Sequence, residues 1–260
     1  MSKGLAIVTG ASTGIGFELA TCAAKDGYDV IVVADEPLID AAARDFEQFG
    51  THIESVEADL ATIDGVDRLL AAVQGRRIDV LCANAGRGQG GAFLEEAVED
   101  WRRTIDTNIV GTTYLLQKVL SEMVAQGSGK VLVTGSIAGY IPGPFNAVYN
   151  ATKAFIDNFT EALRNEIKDH QGVTLTTLMP GATETEFFAR AGMEDTKIGA
   201  SEKADPAKVA ADGWQAMQSG AGHIVSGLMN KAQVAASGVI PPSVLAEQHR
   251  KQAEPGSADR

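Results

Sequence analysis

The chain has little of what extracellular, metal-binding or nucleic-acid-binding proteins depend on. Only two of its 260 residues are cysteines, Cys22 and Cys82, far apart and without a CxxC partner. That disfavours a disulfide framework and suits two small thiols in a reducing compartment. The four histidines, His52, His170, His223 and His249, form no H-E-x-x-H or other close ligand pair, so no metal site is expected. Basic residues are in deficit: 22 Lys and Arg against 34 Asp and Glu leave a net charge of −12. Phosphate backbones and anionic membrane surfaces are bound by clustered Lys and Arg, so neither nucleic acid nor membrane is an expected partner. No apolar run approaches the ~18 residues that span a bilayer. The segment after Met1-Ser2-Lys3-Gly4 is too short for the core of a secretion signal. A cytoplasmic location is expected, and the triplets Asn150-Ala151-Thr152 and Asn158-Phe159-Thr160 then carry no meaning as glycosylation sites.

What is present is an ordinary globular composition, 45% hydrophobic and 22% charged, with a glycine excess of 28 residues that calls for tight turns or close backbone approaches. Short β-rich apolar runs occur at Leu5–Thr9, Val30–Val33, His52–Val56, Ile78–Cys82, Val131–Thr134, Val173–Leu178 and, more weakly, His223–Val225. Each is nearly continuous Val, Ile or Leu, the pattern of parallel strands covered on both faces. Helical stretches lie between them at Phe17–Lys25, Leu38–Phe49, Val66–Val73, Trp101–Val124 and Tyr149–Lys168. This alternation predicts an α/β fold with one doubly wound parallel sheet of about seven strands and helices on both faces. One domain is expected over 1–246. Its uneven stretch 183–205, closed by the helix start Asp205-Pro206, reads as a substrate lid. The polar segment 247–260 reads as a frayed tail.

The first strand runs into Thr9-Gly10-Ala11-Ser12-Thr13-Gly14-Ile15-Gly16 and a helix follows at once. Amides at a helix N-terminus attract phosphate, and missing side chains let a pyrophosphate approach. A Rossmann-type dinucleotide site is therefore expected on Gly10, Ser12, Thr13, Gly14, Ile15 and Gly16. Asp35 ends the second strand nineteen positions after Gly16, where a carboxylate can bond ribose hydroxyls and repel a 2′-phosphate. Glu36 and Pro37 follow it rather than an arginine, which favours NAD over NADP. The stretch Gly10–Gly14 also fits the G-x-S-x-G elbow of serine hydrolases. That elbow normally follows a central strand, not the first, and the hydrolase reading leaves Asp35 without a task.

Downstream, Tyr149 and Lys153 sit at i and i+4 of a helical stretch and point the same way. An ammonium held near a phenol favours the phenolate, which predicts a lowered Tyr149 pKa and a general acid/base. Ser136 lies just past the fifth strand, at the carboxyl edge where open sheets bind ligands. Asn108 and Gly111 interrupt an otherwise apolar-faced helix at a cost in helix stability, which a bend or a bound water would explain.

Together with Asp59-Leu60, Asn84-Ala85-Gly86, Pro180-Gly181 and Thr185, these residues fall in the order and spacing of the short-chain dehydrogenase/reductase family, which the chain strongly resembles over about residues 5–190. The resemblance implies an oxidoreductase that moves a hydride between a nicotinamide cofactor and a secondary alcohol or ketone. Tyr149 would be the acid/base, Lys153 would lower its pKa and hold a ribose, Ser136 would orient the substrate oxygen, and Asn108 would hold a relay water. Asp59 and Leu60 would flank the adenine, Asn84, Ala85 and Gly86 would back the adenosine, and Pro180, Gly181, Thr183 and Thr185 would lie along the cofactor, with Thr185 at the carboxamide. Ala138, Tyr140, Phe145 and Asn146, with Phe187 and Phe188 on the lid, are expected to shape a mainly apolar substrate pocket.

Two departures stand out. The family's Asn-Asn-Ala-Gly is Ala83-Asn84-Ala85-Gly86 here, so the fourth strand must be fixed differently. The segment Gly222–Lys231 replaces a glycine-rich ending that builds a tetramer contact in relatives. A homodimer through the helices around Ile105–Met123 and Tyr149–Leu163 or a homotetramer is expected. An NADPH-dependent 3-oxoacyl-type reductase and a catalytically silent NAD-binding regulator are the alternatives. Asp35 weighs against the first and the intact Asn108–Ser136–Tyr149–Lys153 set against the second.

Overall fold

The computed structural model describes residues 2–259. Seven strands form one parallel sheet: β1 (Leu5–Thr9), β2 (Asp29–Ala34), β3 (Ile53–Glu57), β4 (Val80–Ala83), β5 (Gly129–Thr134), β6 (Val173–Met179) and β7 (His223–Val225). Their order is β3-β2-β1-β4-β5-β6-β7, and every neighbouring pair is parallel. The winding reverses between β1 and β4, which opens a crevice at their carboxyl ends.

The continuous apolar runs split by alternation into two cores. Ile7, Ile31, Val33, Leu81 and Val131 face one side, where they meet α3 (Ile63–Val73), α5 (Thr112–Gln126) and α6 (Ala147–Glu166). Ala6, Val8, Val30, Val32, Val80 and Leu132 face the other. They are covered there by α1 (Gly14–Lys25), α2 (Leu38–Phe46) and α9 (Pro206–Gln218), the last through Val209, Trp214 and Met217. Cys82 is buried in this second core and Cys22 lies half-buried on α1, and both are free thiols.

The stretch predicted as one helix over Trp101–Val124 is three pieces: α4 (Val98–Ile105), a π-helical turn at Asp106–Gly111, and α5. The widened turn is the structural reason for Asn108 and Gly111 in an apolar stripe. Likewise the stretch Leu38–Phe49 leaves α2 through a 3-10 turn at Glu47–Phe49.

Residues 183–205 contain two single-turn helices, α7 (Phe187–Arg190) and α8 (Lys197–Ala200). Asp205 ends the segment as the N-cap of α9, its carboxylate accepting from the Ala207 amide at 2.9 Å, with Pro206 in the first turn. Beyond β7 come α10 (Leu228–Ser237) and α11 (Pro242–Ala253). The tail expected to fray from Glu247 instead continues α11 and then docks. Ala253 and Ser257 are buried, the Gly256 amide donates to the Asp195 carboxylate at 2.8 Å, and the Lys197 amide donates to Ser257 Oγ at 3.0 Å. Small residues make these contacts, so hydropathy does not reveal them.

Removing the Asp205 cap leaves an α9 amide unpaired. Asp205→Ala is expected to lower stability by about 1 kcal/mol, read as a shifted urea midpoint at unchanged slope. An unmoved midpoint contradicts the capping role.

Candidate active site

The crevice at the switch point is a cavity of about 460 Å³. Its floor begins where β1 turns into α1. Gly10 and Gly14 have φ of +64° and +59°, the left-handed region where a side chain is strained. Thr13 caps α1 in extended backbone and makes no side-chain bond to its amides. The first-turn donors of a twelve-residue helix thus face the cavity without a side-chain partner, and Ser12, Thr13, Gly14 and Ile15 line it. Such an uncapped, glycine-cradled terminus fits the pyrophosphate of a dinucleotide. Gly16, expected on this wall, is not on it. A Cβ there would lie 2.0 Å from the Gly10 carbonyl oxygen, so this glycine serves helix–strand packing.

At one end of the cavity stand Asp35, Glu36 and Asp59, with Leu60 beside them. The arginine that the local sequence lacks arrives from elsewhere. Arg103 on α4 bridges Asp35 and Asp59, 3.0 Å from each, which holds its guanidinium more firmly protonated. Arg190 on α7 pairs with Glu36 at 3.0 Å. Ser12 Oγ donates to the same carboxylate at 2.6 Å. Burial pushes the Glu36 carboxyl up, but the Ser12 and Arg190 bonds outweigh it and the net shift is downward. Sequence reading missed both arginines because no motif places them.

The ends of β1, β4 and β5 are tied by one small network. Thr9 Oγ1 accepts from the Asn84 and Ala85 amides at 2.9 and 2.8 Å. Asn84 Nδ2 donates to the Thr9 carbonyl at 3.1 Å, and its Oδ1 accepts from Thr134 Oγ1 at 3.0 Å. Thr9 and Thr134 therefore fix the fourth strand where Ala83 stands for the family's asparagine. Gly86 lines the cavity next to this network.

Ser136, Tyr149 and Lys153 converge on the same wall. Lys153 is 5% exposed and its Nζ donates to the Thr134 carbonyl at 2.8 Å. Burial lowers its pKa, while Asp157, one turn along α6, opposes the shift. Asp157 is itself pushed up by burial, against smaller downward pulls from Lys153 and the Ser136 backbone. The Tyr149 ring centroid is 5.8 Å from Lys153 Nζ. Contrary to the sequence expectation, the phenol pKa is not lowered. Burial pushes it up to about 12 against a smaller downward pull from Ser136. Desolvation of the buried phenol decides the sign of the shift. Ser136 Oγ accepts from the Ala138 amide at 3.1 Å and donates to the Pro180 carbonyl at 3.4 Å.

Asn108 stands behind this wall. Its amide is engaged by the Arg87 backbone at 2.8 Å on both sides and by Thr152 Oγ1 at 2.9 Å, so in this state it orders the Gly86–Gly88 strand end. The predicted residues Pro180, Gly181, Thr183 and Thr185 all line the cavity. A Cβ on Gly14 would meet Thr185 Cγ2 at 2.7 Å, so the segment 183–205 begins directly over the glycine turn.

Of the residues expected around the substrate, Ala138, Asn146, Phe187 and Phe188 line the cavity. Phe187 packs on Tyr149, centroids 4.9 Å apart. Tyr140 does not line it: the side chain is 40% exposed and its hydroxyl turns to Met179 Sδ at 3.5 Å. Phe145 does not either, since its ring lies under the Arg250 guanidinium at 4.9 Å. In their place the wall carries Asn230, Gln233, His249 and Gln252 from α10 and α11, which carry no motif in sequence.

Sheet, cradle and side-chain cluster define the Rossmann-type α/β class. Comparison with known proteins narrows it: the short chain dehydrogenase profile matches residues 4–195, and the chain belongs to that family of oxidoreductases. An uncharacterized oxidoreductase of Staphylococcus epidermidis is 32% identical over 209 residues, 79% of this chain and 87% of that protein. A 3-oxoacyl-[acyl-carrier-protein] reductase of Synechocystis is 34% identical over 187 residues, 70% of this chain and 75% of that protein. A short-chain dehydrogenase from Sphingobium yanoikuyae, solved in complex with NADPH, superposes with a TM-score of 0.80 at 26% identity, covering 92% of this chain and 96% of that one.

The raised phenol pKa has a consequence for stability. An unfolded tyrosine ionises near pH 10, whereas folded Tyr149 holds its proton to about 12, so its contribution is complete below 10 and lost as pH climbs from 10 to 12. Tyr149→Phe is expected to flatten part of the alkaline fall of the urea midpoint in that window. A slope identical to that of the parent protein contradicts the assignment.

Proposed function

We propose that the protein is an NAD-dependent oxidoreductase acting on a secondary alcohol or its ketone, with Tyr149 as the proton donor and acceptor. The observation that carries this reading is the convergence of Ser136, Tyr149 and Lys153 on one wall of a cavity whose floor is the uncapped α1 terminus. The nicotinamide, when bound, supplies or accepts the hydride.

The chain's own residues do the rest. Tyr149 is a neutral phenol at physiological pH, the form that donates a proton to a ketone oxygen. Ser136, held by the Ala138 amide and the Pro180 carbonyl, is placed to turn its hydroxyl onto the same oxygen and stabilise charge developing there. Lys153, anchored on Thr134, supplies the positive charge that stabilises Tyr149 as a phenolate once the proton has left. Asn108 is a positioning residue that holds the loop beside Lys153 through Arg87. Residues 183–205 act as the lid, with Phe187 excluding water from Tyr149.

The cofactor preference rests on charge. Three carboxylates (Asp35, Glu36, Asp59) face two guanidiniums (Arg103, Arg190) at the adenosine end, so a dianionic 2′-phosphate meets a net negative wall. Ribose hydroxyls meet an acceptor in Asp35. The NADPH in the Sphingobium structure and the 3-oxoacyl reductase relative favour NADP as the second reading. We also propose a homo-oligomer formed through the face of α6 and of the π-turn leading into α5, where Phe155 and Val110 are 40% and 41% exposed.

Tyr149→Phe is expected to abolish turnover of secondary alcohols with NAD while leaving dinucleotide titrations of Trp101 and Trp214 fluorescence nearly unchanged. Retained turnover overturns the mechanism. In the same titration NAD should bind more tightly than NADP, and Asp35→Ser should narrow the gap by about tenfold, the weight of one charge-assisted bond. Tighter binding of NADP to the unmodified protein sinks the cofactor assignment.

A further inference from the structure

The family profile ends at residue 195, yet the cavity does not. α11 turns Leu245, His249 and Ala253 inward, each buried, at i, i+4 and i+8. Ala253 packs into the apolar cluster of Phe188, Ala191 and Met193, with Phe145, Phe187 and Ile198 at its edge. His249 is therefore a polar ring, 7% exposed, on a helix face that is otherwise apolar, and it lines the cavity.

Its orientation is fixed. Nδ1 lies 3.0 Å from the Pro144 carbonyl oxygen. A carbonyl can only accept, so Nδ1 carries the proton, and Nε2 on the far side of the ring is then an acceptor as long as the imidazole is neutral. Burial keeps it neutral by lowering its pKa, against a smaller upward pull from the Pro144 bond. Nε2 makes no hydrogen bond to any described residue.

The loop it grips is under strain. Phe145, next to Pro144, has a φ of +63°, rare for a bulky side chain. It is held there by the Gly91 amide, which donates to its carbonyl at 3.0 Å, and by the Arg250 guanidinium over its ring. That loop leads directly into Asn146, Tyr149 and the start of α6. Tyr149 lies five positions after Pro144, and it lines the same cavity as His249. A fixed acceptor on the wall of the cavity that holds the reacting hydroxyl is an arrangement by which a pocket selects orientation and identity.

We propose that His249 specifies the substrate: its Nε2 accepts a hydrogen bond from a neutral donor, a hydroxyl or an amide N–H, that the ketone or alcohol carries on the side remote from the reacting carbon. The substrate class is a compact apolar body with a polar far end, not a plain hydrocarbon ketone. A carboxylate or phosphate at that end would meet an acceptor and is excluded. The proposal rests on the reading of the cavity as a ketone/alcohol site, and it adds the chemistry of the substrate's other end.

The test pairs two variants with two ketones. In His249→Asn the amide replaces Nδ1 as donor to Pro144 and the distal acceptor is gone; His249→Leu removes both. The probes are a decalone and the same decalone hydroxylated on its far ring, with NADH as reductant. Wild type should favour the hydroxylated ketone by about tenfold or more in kcat/KM, expressed in KM, since a site built for a donor rejects the analogue lacking it. His249→Asn should erase that preference, the loss falling on the hydroxylated decalone as a raised KM. His249→Leu should also slow the plain decalone by loosening the loop before Tyr149. Equal use of both ketones by wild type, or a preference that survives His249→Asn, overturns the proposal.

Calorimetric binding of the same ketones in the presence of NAD separates this from the catalytic reading. Binding of the hydroxylated decalone that depends on His249, without turnover, upholds the proposal and sinks the enzymatic assignment. No difference in binding between wild type and His249→Asn, with no turnover, overturns it.

Discussion

The tie between Thr9, Asn84 and Thr134 is the constraint on which the site depends. A doubly wound sheet leaves its crevice where two strands diverge, and nothing in the β-ladder itself controls how far their ends separate. Here the Asn84 side chain spans the gap, donating to the β1 end and accepting from Thr134 at the β5 end. Each residue of the proposed proton-handling set is referred to this frame. Lys153 anchors on the carbonyl of the same Thr134, Ser136 follows it by two residues, and Gly86 follows Asn84. The family carries an extra amide at position 83. In this chain that position is Ala83, and the β4 end is held by the Thr9 hydroxyl, which accepts from two successive backbone amides. A hydroxyl already held in place by its strand costs less entropy to organise than a longer amide side chain.

The strands and the cradle were legible because their causes are local. Runs of Val, Ile and Leu can be buried on both faces only in a parallel sheet, and the bounds of Leu5–Thr9 and His223–Val225 match the observed strands. The glycines of the first turn were readable because left-handed backbone tolerates little else. The π-turn around Asn108 was visible only as a disturbance in a helical stripe, since periodicity registers that something breaks but not how the backbone resolves it. Tyr149 and Lys153 were found by spacing, yet their electrostatics were misjudged. Spacing fixes which way two side chains point and says nothing of how much water is left around them, and desolvation decides the sign of the phenol's shift.

Charge shows the same limit from the other side. Reading Asp35-Glu36-Pro37 as a segment without an arginine is correct along the chain and incomplete in space. Arg103 and Arg190 reach those carboxylates from α4 and from the lid. Part of the chain's acidity thus lies at this end of the cavity, where it is paired with residues sixty-eight and one hundred and fifty-four positions away. Because Arg190 lies on α7, the Glu36 pair also ties the 183–205 segment to the end of β2.

The remaining misjudgement concerns the tail, and its physical origin is instructive for the family as a whole. Residues 4–195 carry six of the seven strands, the cradle and the Ser–Tyr–Lys wall. The far side of the cavity is backed by α10, α11 and the turn after them, with Asn230 and His249 on its wall and Ala253 and Ser257 buried behind it, residues that any surface helix could contain. Their significance arises only from what they dock against: a strained loop at Phe145, the Asp195 carboxylate and the lid's apolar cluster. The cavity lining therefore comes from two parts of the chain under different constraints. The first is held to its motifs by the geometry of the fold's crevice. The second is held only by what it packs against, so its place in the wall has to be read from three-dimensional contacts rather than from a pattern.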